Sequence, residues 1–533
     1  MKAQLETDGR AQFRPTLLIG GLPRLHLRLI AATLESEKFA CQQLSTPSLQ
    51  DCQTGRENAP AGLCNPAYFT AGNLIRHLRA LESSGLSRQQ IAANYAFLTA
   101  GSCGPCRFGL YEHIYREALE SAGFGGFRIL LIHQQDGLRA GEGKTELCFS
   151  PAFLPKLLRA ILLADILNET QHRLRPYAMD RAAAEAGFES SVDLLCDELR
   201  QSTAPPRTLP AQVARLFFGR SMRRTLAEIK ARLDAIELDR LRLRPVVKIT
   251  GEFWAQSTEG EGNYKLFDFL EREGAEVLVD PLSSWLLYLL EQARHGGGER
   301  WRLRRTLAGK AAGWLAWQRR NLPMLAGARL YEFLYREMAR RMGCPVLPLA
   351  PQKELVTLAA PHFDRRARGG EGHLEIGKAL YYTEHHLAQM ILSLKPFGCM
   401  PSTQSDGVLA PLASRHATMI FQPIETAPEG SVHALSRVQM SLGEARRAAR
   451  VEMETVLRAT GRSLEELRHL CVAHPELLRR NASLPQPVGC ASTAARQVLQ
   501  LDALLRQGMA PLPASARNSQ RRAAGRRIAQ AQD

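Results

Sequence analysis

The sequence predicts an α/β protein with two doubly wound, Rossmann/flavodoxin-like lobes, a helical insert and a disordered basic C-terminal tail. Three observations predict it. Short apolar runs alternate with helical periodicity over residues 12–149 and again over 246–450. Residues 150–245 carry long amphipathic patterns and few strand signals. Beyond Pro511 the chain is rich in Ala, Arg, Ser and Gln and has little to bury.

In order, residues 16–20 read as a strand and 25–35 as a helix, and 40–63 read as irregular, with several turn residues. Asn65-Pro66 opens a helix with Pro66 at its first position, and Phe69, Leu74, Ile75, Leu78 and Leu81 recur at helical spacing. Residues 95–99 read as the second strand. Pro105 opens a second helix with Phe108, Tyr111, Ile114, Tyr115, Ala118 and Leu119 on its buried face. A third strand follows over 127–132. After the insert, strands are expected over 244–250 and 276–280, with helices over 263–273 and 283–293. Further helices are expected over 299–342 and 376–394, a late strand over 417–424, C-terminal helices over 451–510 and the tail over 511–533. No internal repeat is convincing, although the two α/β units are candidates for distant duplicates.

The 533 residues are 45% apolar and 23% charged, which excludes a collagen-like or wholly disordered chain. A chain this long buries a core without staples, so a metal here would be functional rather than structural. The apolar stretch 157–167 contains Arg159 and Asp165 and is too short to span a bilayer. The start, Met-Lys-Ala-Gln-Leu-Glu-Thr-Asp, has no leader pattern. The expectation is a cytoplasmic protein that engages no membrane. The net charge of +16 could steer acidic partners, yet residues 504–533 alone hold six Arg against Asp533, and the other Arg are scattered. No helix-turn-helix, zinc-finger or RRM signature accompanies them, so no nucleic acid is expected.

Eleven cysteines, an odd number without an export signal, argue against a disulfide framework. Cys148, Cys196, Cys344 and Cys471 have apolar neighbours and read as small core residues. Cys64, Cys103, Cys106 and Cys399 differ, because Gly and Pro crowd each of them: Gly-Leu-Cys64-Asn-Pro, Cys103-Gly-Pro-Cys106 and Phe-Gly-Cys399-Met-Pro. Such turns leave backbone N–H groups free. Asn65-Pro66 and Gly104-Pro105 place cysteines at helix starts, where the helix dipole favours thiolates and anionic clusters. Ligands of open α/β sheets bind at the carboxyl ends of the strands. Four soft ligands on three loops suit an iron–sulfur cluster or zinc. Three readings of Cys-Gly-Pro-Cys compete: a thioredoxin-like dithiol, half of a zinc site and half of an iron–sulfur site. Zinc would want a second close-spaced pair, and none exists. A thioredoxin fold is much smaller and wants the motif after an early strand.

Residues 55–70 (Gly-Arg-Glu-Asn…Gly-Leu-Cys-Asn-Pro-Ala-Tyr-Phe-Thr), residues 99–132 (Thr-Ala-Gly-Ser-Cys-Gly-Pro-Cys-Arg-Phe-Gly…Ile-Leu-Leu-Ile), Gly251-Glu252-Phe253 and Pro396-Phe397-Gly398-Cys399-Met400-Pro401 belong together. Jointly they resemble the iron–sulfur component of the 2-hydroxyacyl-CoA dehydratase and benzoyl-CoA reductase group, nearest to the dehydratase-like region of CoA-activase-related proteins. The resemblance covers residues 15–140 and 246–430. It implies a low-potential [4Fe–4S] cluster, or a related larger one, between two α/β domains, with Cys64, Cys103, Cys106 and Cys399 as ligands. It also implies a separate ASKHA-type activator ATPase delivering electrons, an acyl-CoA substrate, and a homo- or hetero-dimer. In such dehydratases the electron reduces the thioester to a ketyl radical that loses hydroxide. Their subunits use three cysteines per cluster; four would close it. A closed cluster points to the alternative, a non-catalytic electron-transfer or cluster-carrier subunit, and a Cys-Gly-Pro-Cys dithiol redox protein is the other.

Gly141-Glu-Gly-Lys-Thr145 imitates a phosphate loop, but the pattern needs Gly where Leu138 stands, so it reads as a surface turn. His385 and His386 are adjacent and cannot share a helix face; one is expected partly buried and the other exposed. Glu252 follows a strand and is either acid/base equipment or a cap for the next turn. Glu371 and His373 sit among glycines as further candidates. Truncation before Pro511 is expected to leave activity and the thermal midpoint unchanged; loss of folding, read by circular dichroism, would overturn the disorder reading.

Overall fold

The run Thr16–Ile19 has no charged residue to turn toward water, and it becomes an interior strand of a parallel sheet. In a computed structural model, the described residues are 15–101, 106–132, 139–140, 147–150, 152–201, 208–303, 306–344, 346–367, 371–478 and 489–508. The first sheet contains β1 (Thr16–Ile19), β2 (Cys41–Gln43), β3 (Tyr95–Ala100), β4 (Arg128–Ile132), β5 (Arg139–Ala140) and β6 (Leu147–Cys148). Its order is β2-β1-β3-β4-β5-β6; the first four strands are parallel and the last two antiparallel. Its helices are α1 (Arg24–Ser36), α2 (Leu49–Asn58), α3 (Asn65–Ser83), α4 (Arg88–Asn94) and α5 (Tyr111–Ser121). Leu18, Phe97 and Ile129 pack on α3 and α5, while Leu17, Ala96 and Leu130 face α1.

Four helices follow: α6 (Phe153–Leu174), α7 (Arg181–Arg200), α8 (Leu209–Phe218) and α9 (Arg220–Asp234). The second sheet contains β7 (Val246–Gly251), β8 (Glu276–Leu278), β9 (Met390–Pro396) and β10 (Ile420–Thr426), all parallel, in the order β10-β9-β7-β8. Around it lie α10 (Phe253–Ser257), α11 (Leu266–Arg272), α12 (Leu282–Arg302), α13 (Leu307–Arg341), α14 (Gln352–Ala359), α15 (Gly372–Glu384), α16 (Met400–Arg415) and α17 (Ser431–Thr460). Val247, Ile249 and Leu392 face α11 and α17, and Val246, Leu278 and Ile391 face α15 and α16. The chain ends in α18 (Leu464–Ala473) and α19 (Thr493–Arg506).

Numbered within each lobe, both parallel sheets have the strand order 2-1-3-4. Helices α12 and α13 leave the second lobe and join α6–α9 in one helical core that holds Cys196 and Cys344. Asp165 of α6 fastens them: it accepts from the Leu282 and Ser283 N–H groups at 2.7 and 2.8 Å and meets His26 Nε2 at 2.8 Å. Helix α17 runs unbroken through residue 450, from the second sheet into a C-terminal cluster with α18 and α19 that buries Cys471.

Several expectations need correction. Residues 390–394 are strand, not helix. β9 is interior and buried on both faces, so its run Met-Ile-Leu-Ser-Leu lacks the alternation that marks a half-exposed strand. Residues 40–63 are not irregular throughout; they include β2 and α2, and α2 starts at a Ser48–Asp51 capping box. After Cys106 comes a 3-10 turn, Arg107–Leu110, and α5 begins only at Tyr111. His385 and His386 are both exposed, because α15 ends before them. The loop 141–145 and the tail 511–533 lie outside the described residues.

Helices α2 and α3 touch backbone to backbone. A Cβ at Gly72 would fall 1.7 Å from the Asp51 carbonyl oxygen, and one at Gly55 would fall 2.0 Å from that of Tyr68. Gly72→Ala is therefore expected to cost about 1–3 kcal/mol in urea denaturation, as overpacking against backbone does. An unchanged midpoint would show that the helices part freely.

Candidate functional site

In a parallel sheet of order 2-1-3-4, the connections after strands 1 and 3 leave in opposite directions and open a crevice at their carboxyl ends. Each lobe has a described cysteine soon after its third strand: Cys106 after β3, and Cys399 after β9. Cys103 lies outside the described residues, as do Gly104 and Pro105. Cys64 enters from the segment before α3.

Cys64, Cys106 and Cys399 occupy equivalent local positions. Cys64 is the N-cap of α3, Cys106 of the 3-10 turn and Cys399 of α16, each with extended backbone and a side chain that makes no capping bond. Pro66 and Pro401 stand in the first turns of α3 and α16, where a missing N–H costs nothing. Two lobes meet here. Asn65 N–H donates to the Phe397 carbonyl at 3.3 Å, and a Cβ on Gly398 would lie 3.4 Å from Cys64 Cα and 3.7 Å from Arg107 Nη1. Gly398 has φ +79°, so neither its backbone nor its surroundings favour a side chain. Arg107 donates to the Gly62 carbonyl and ties the Cys106 turn to the Cys64 segment.

All three thiols are held protonated. Burial raises Cys64, with Glu252 adding to it, while the Tyr111 hydroxyl at 3.3 Å and the Ala67 N–H oppose. Cys106 is pushed up to about 12 by burial, then by Glu371, Glu252 and Cys64, against the Phe108 N–H. Burial and Glu252 push Cys399 up, while the Ser402 hydroxyl and N–H oppose. Free nucleophilic thiolates are thus disfavoured in the metal-free chain.

Three buried carboxyls surround them. Glu252 caps α10 through the Ala255 N–H at 2.9 Å, so the capping role considered from the sequence is the one its geometry serves; burial raises its pKa. Gly251 before it has φ +119°, and a Cβ would fall 2.0 Å from the Leu394 carbonyl oxygen. Glu371 is pushed up to about 8 by burial, with Glu252 and Glu375 adding. Burial raises Glu375 to about 7, although the Ser405 and Ser402 hydroxyls donate to it. Ser402 bridges the two chemistries: its oxygen takes the Cys399 thiol at 3.4 Å while its proton goes to Glu375 at 2.8 Å. His373 is buried, and burial followed by His295 and Arg365 lowers it to about 4. Tyr288 OH is 3.4 Å from its Nδ1, and its Nε2 has no partner.

The structure thus brings Cys64, Cys106 and Cys399 to one interface and adds Glu375, which sequence reasoning missed. Among the described residues, which exclude Cys103, no three His, Cys, Asp or Glu side chains form a group that could hold a metal ion. Nor, among them, is any helix long and apolar enough to cross a membrane. No protein-family model matches the chain, and neither does any curated protein.

Glu371 sets a pH dependence. Its folded value of about 8 lies above the ordinary 4.5, so the folded chain holds a proton that the unfolded chain releases. The stability this contributes is complete at low pH and is lost as pH rises toward about 8. His373, lowered from 6.5, acts oppositely, but its effect is complete by then. Between pH about 6.5 and about 8.5 the urea midpoint of the metal-free chain should fall, and should fall less in Glu371→Gln. Equal slopes would remove Glu371 as the cause.

Proposed function

We propose that Cys64, Cys103, Cys106 and Cys399 hold a [4Fe–4S] cluster, or a related larger one, between two doubly wound, flavodoxin-like lobes. The chain then serves as the iron–sulfur component of a 2-hydroxyacyl-CoA dehydratase-like or acyl-CoA reductase-like system. One observation carries this reading: three cysteines far apart in sequence, all N-caps whose side chains make no capping bond, converge where the lobes touch. A dithiol protein would use Cys103 and Cys106 and would leave the conjunction of Cys64 and Cys399 without a role.

The donor set fits the group. Cysteine sulfur is the ligand such clusters take, and helix N-termini favour the negative charge that thiolate-ligated clusters carry. The N–H groups of Ala67, Phe108 and Ser402 each favour the ionised sulfur. Raised pKa values at Glu252, Glu371 and Glu375 keep protons on carboxyls that would otherwise repel it.

Bound there, the group would supply a low-potential one-electron donor, recharged by a separate ASKHA-type activator ATPase for chemistry on an acyl-CoA. The chain's own residues perform three tasks. Phe69 and Trp254, with ring centroids 5.4 Å apart, close the seam between the lobes against water. Tyr111 orients Cys64 by the contact between its hydroxyl and Sγ. Ser402 links the Cys399 thiol to Glu375, which holds a proton beside the sulfur.

Anaerobic purification should yield about four irons and matching sulfide per chain, with an EPR signal after dithionite reduction. Cys103→Ala should drop iron below about one per chain with an unchanged circular dichroism spectrum, whereas Cys344→Ala should keep it. Full iron and sulfide in Cys103→Ala would sink the ligand assignment.

A further inference from the structure

A second site lies at the other end of the second sheet. Cys399 follows the carboxyl end of β9, whereas a cavity of about 160 Å³ is lined by Val246 and Glu276, the first residues of β7 and β8. Its apolar wall includes Val246, Leu278, Leu347 and Leu387, and its polar wall includes Glu276, Arg173 and Arg496.

The hydrogen bonds on the polar wall leave one donor over. Glu276 is fully engaged: Oε1 accepts from Arg173 Nε at 3.1 Å, and Oε2 accepts from Tyr177 at 2.8 Å and Thr493 at 2.6 Å. Arg173 also reaches Glu169 at 3.6 Å. Glu452, on the α17 side, is taken by the Gln389 side chain at 2.6 Å and the Ser492 N–H at 3.1 Å. His385, at the rim, pairs with Glu354 at 2.6 Å. That leaves Arg496. It is only 6% exposed, its Nη2 donates to the Thr493 hydroxyl at 2.9 Å, and its Nε has no hydrogen-bond partner. The carboxylate that acts on it, Glu276, is the one Arg173 already holds. A buried guanidinium is retained at low cost only when an anion completes its fork. The α19 N-terminus, which begins at Thr493 beside the lining residues Cys490 and Ala491, adds a positive helix end on the same side.

We propose that this cavity binds a small organic monocarboxylate, with its head group on Arg496 and its short alkyl body against Val246, Leu278, Leu347 and Leu387. One guanidinium edge is left without a hydrogen-bond acceptor, which suits a single carboxylate, and the apolar wall selects an alkyl body over a bare oxyanion.

Isothermal titration of the full chain decides this, with sodium butyrate, butyramide and inorganic phosphate as probes. Butyrate should bind saturably, and butyramide, the uncharged counterpart, at least about tenfold more weakly. Phosphate should bind more weakly than butyrate. Arg496→Met should weaken butyrate by about tenfold or more. It should also raise the thermal midpoint of the ligand-free chain, because an unpaired buried charge is gone. Absence of saturable butyrate binding, equal binding of butyramide, preference for phosphate, or an unaltered affinity in Arg496→Met would each overturn the proposal. Should Arg496→Met not fold, the probe comparison on the native chain decides alone.

Discussion

Asn65 is the joint on which the molecule depends. It is the first residue of α3, where a backbone N–H has no partner within its own helix. That N–H goes to the Phe397 carbonyl of the other lobe, and the Asn65 side-chain amide donates to the Thr426 carbonyl at 2.6 Å. Thr426 closes β10 and Phe397 directly follows β9, and a buried carbonyl left unpaired costs about 1–3 kcal/mol. One asparagine therefore satisfies one helix end and two strand ends together. The Phe69–Trp254 contact and the Arg56–Glu429 pair extend the seam outward. Cys64 precedes Asn65 and Cys399 follows Phe397 by two residues, so the bond that joins the lobes also fixes the spacing of the thiols.

The interior so formed stores protons rather than charge. Burial is the largest cause at Glu252, Glu371, Glu375, Cys64, Cys106 and Cys399, and in every case it favours the neutral form. Under the proposed function, loading a metal would expel the thiol protons, while the carboxyls beside them keep theirs. The opposite end of the sheet has the contrary character, since Arg496 is a buried cation.

Legibility in the sequence followed locality. Strands β1, β3, β4 and β7 and helices α1 and α3 were readable, because short apolar runs and Pro at the first helical position act within a few residues. The Ser48–Asp51 box was present but lacked an apolar run behind it; α2 is held by Gly55 and Gly72 in close backbone contact, which no periodicity reports. β9 was misread because a strand buried on both faces and a buried helix share the same unbroken apolar signature. The Gly and Pro residues around Cys64 and Cys399 were visible, and both cysteines are N-caps. Glu375 carried no local mark: it lies mid-sequence among ordinary helical neighbours, and it becomes special only through Ser402 and Ser405 on α16.

The Asn65–Thr426 contact spans 361 residues. At about 5–20 residues per second of synthesis, the first lobe waits roughly twenty to seventy seconds for its partner to leave the ribosome. Until then Phe69 lacks its cover, the α3 amide is open to solvent, and Cys64 lacks the Cys399 turn beside it. Whatever fills the seam arrives only once residue 426 has been made, to a chain whose two halves have already met.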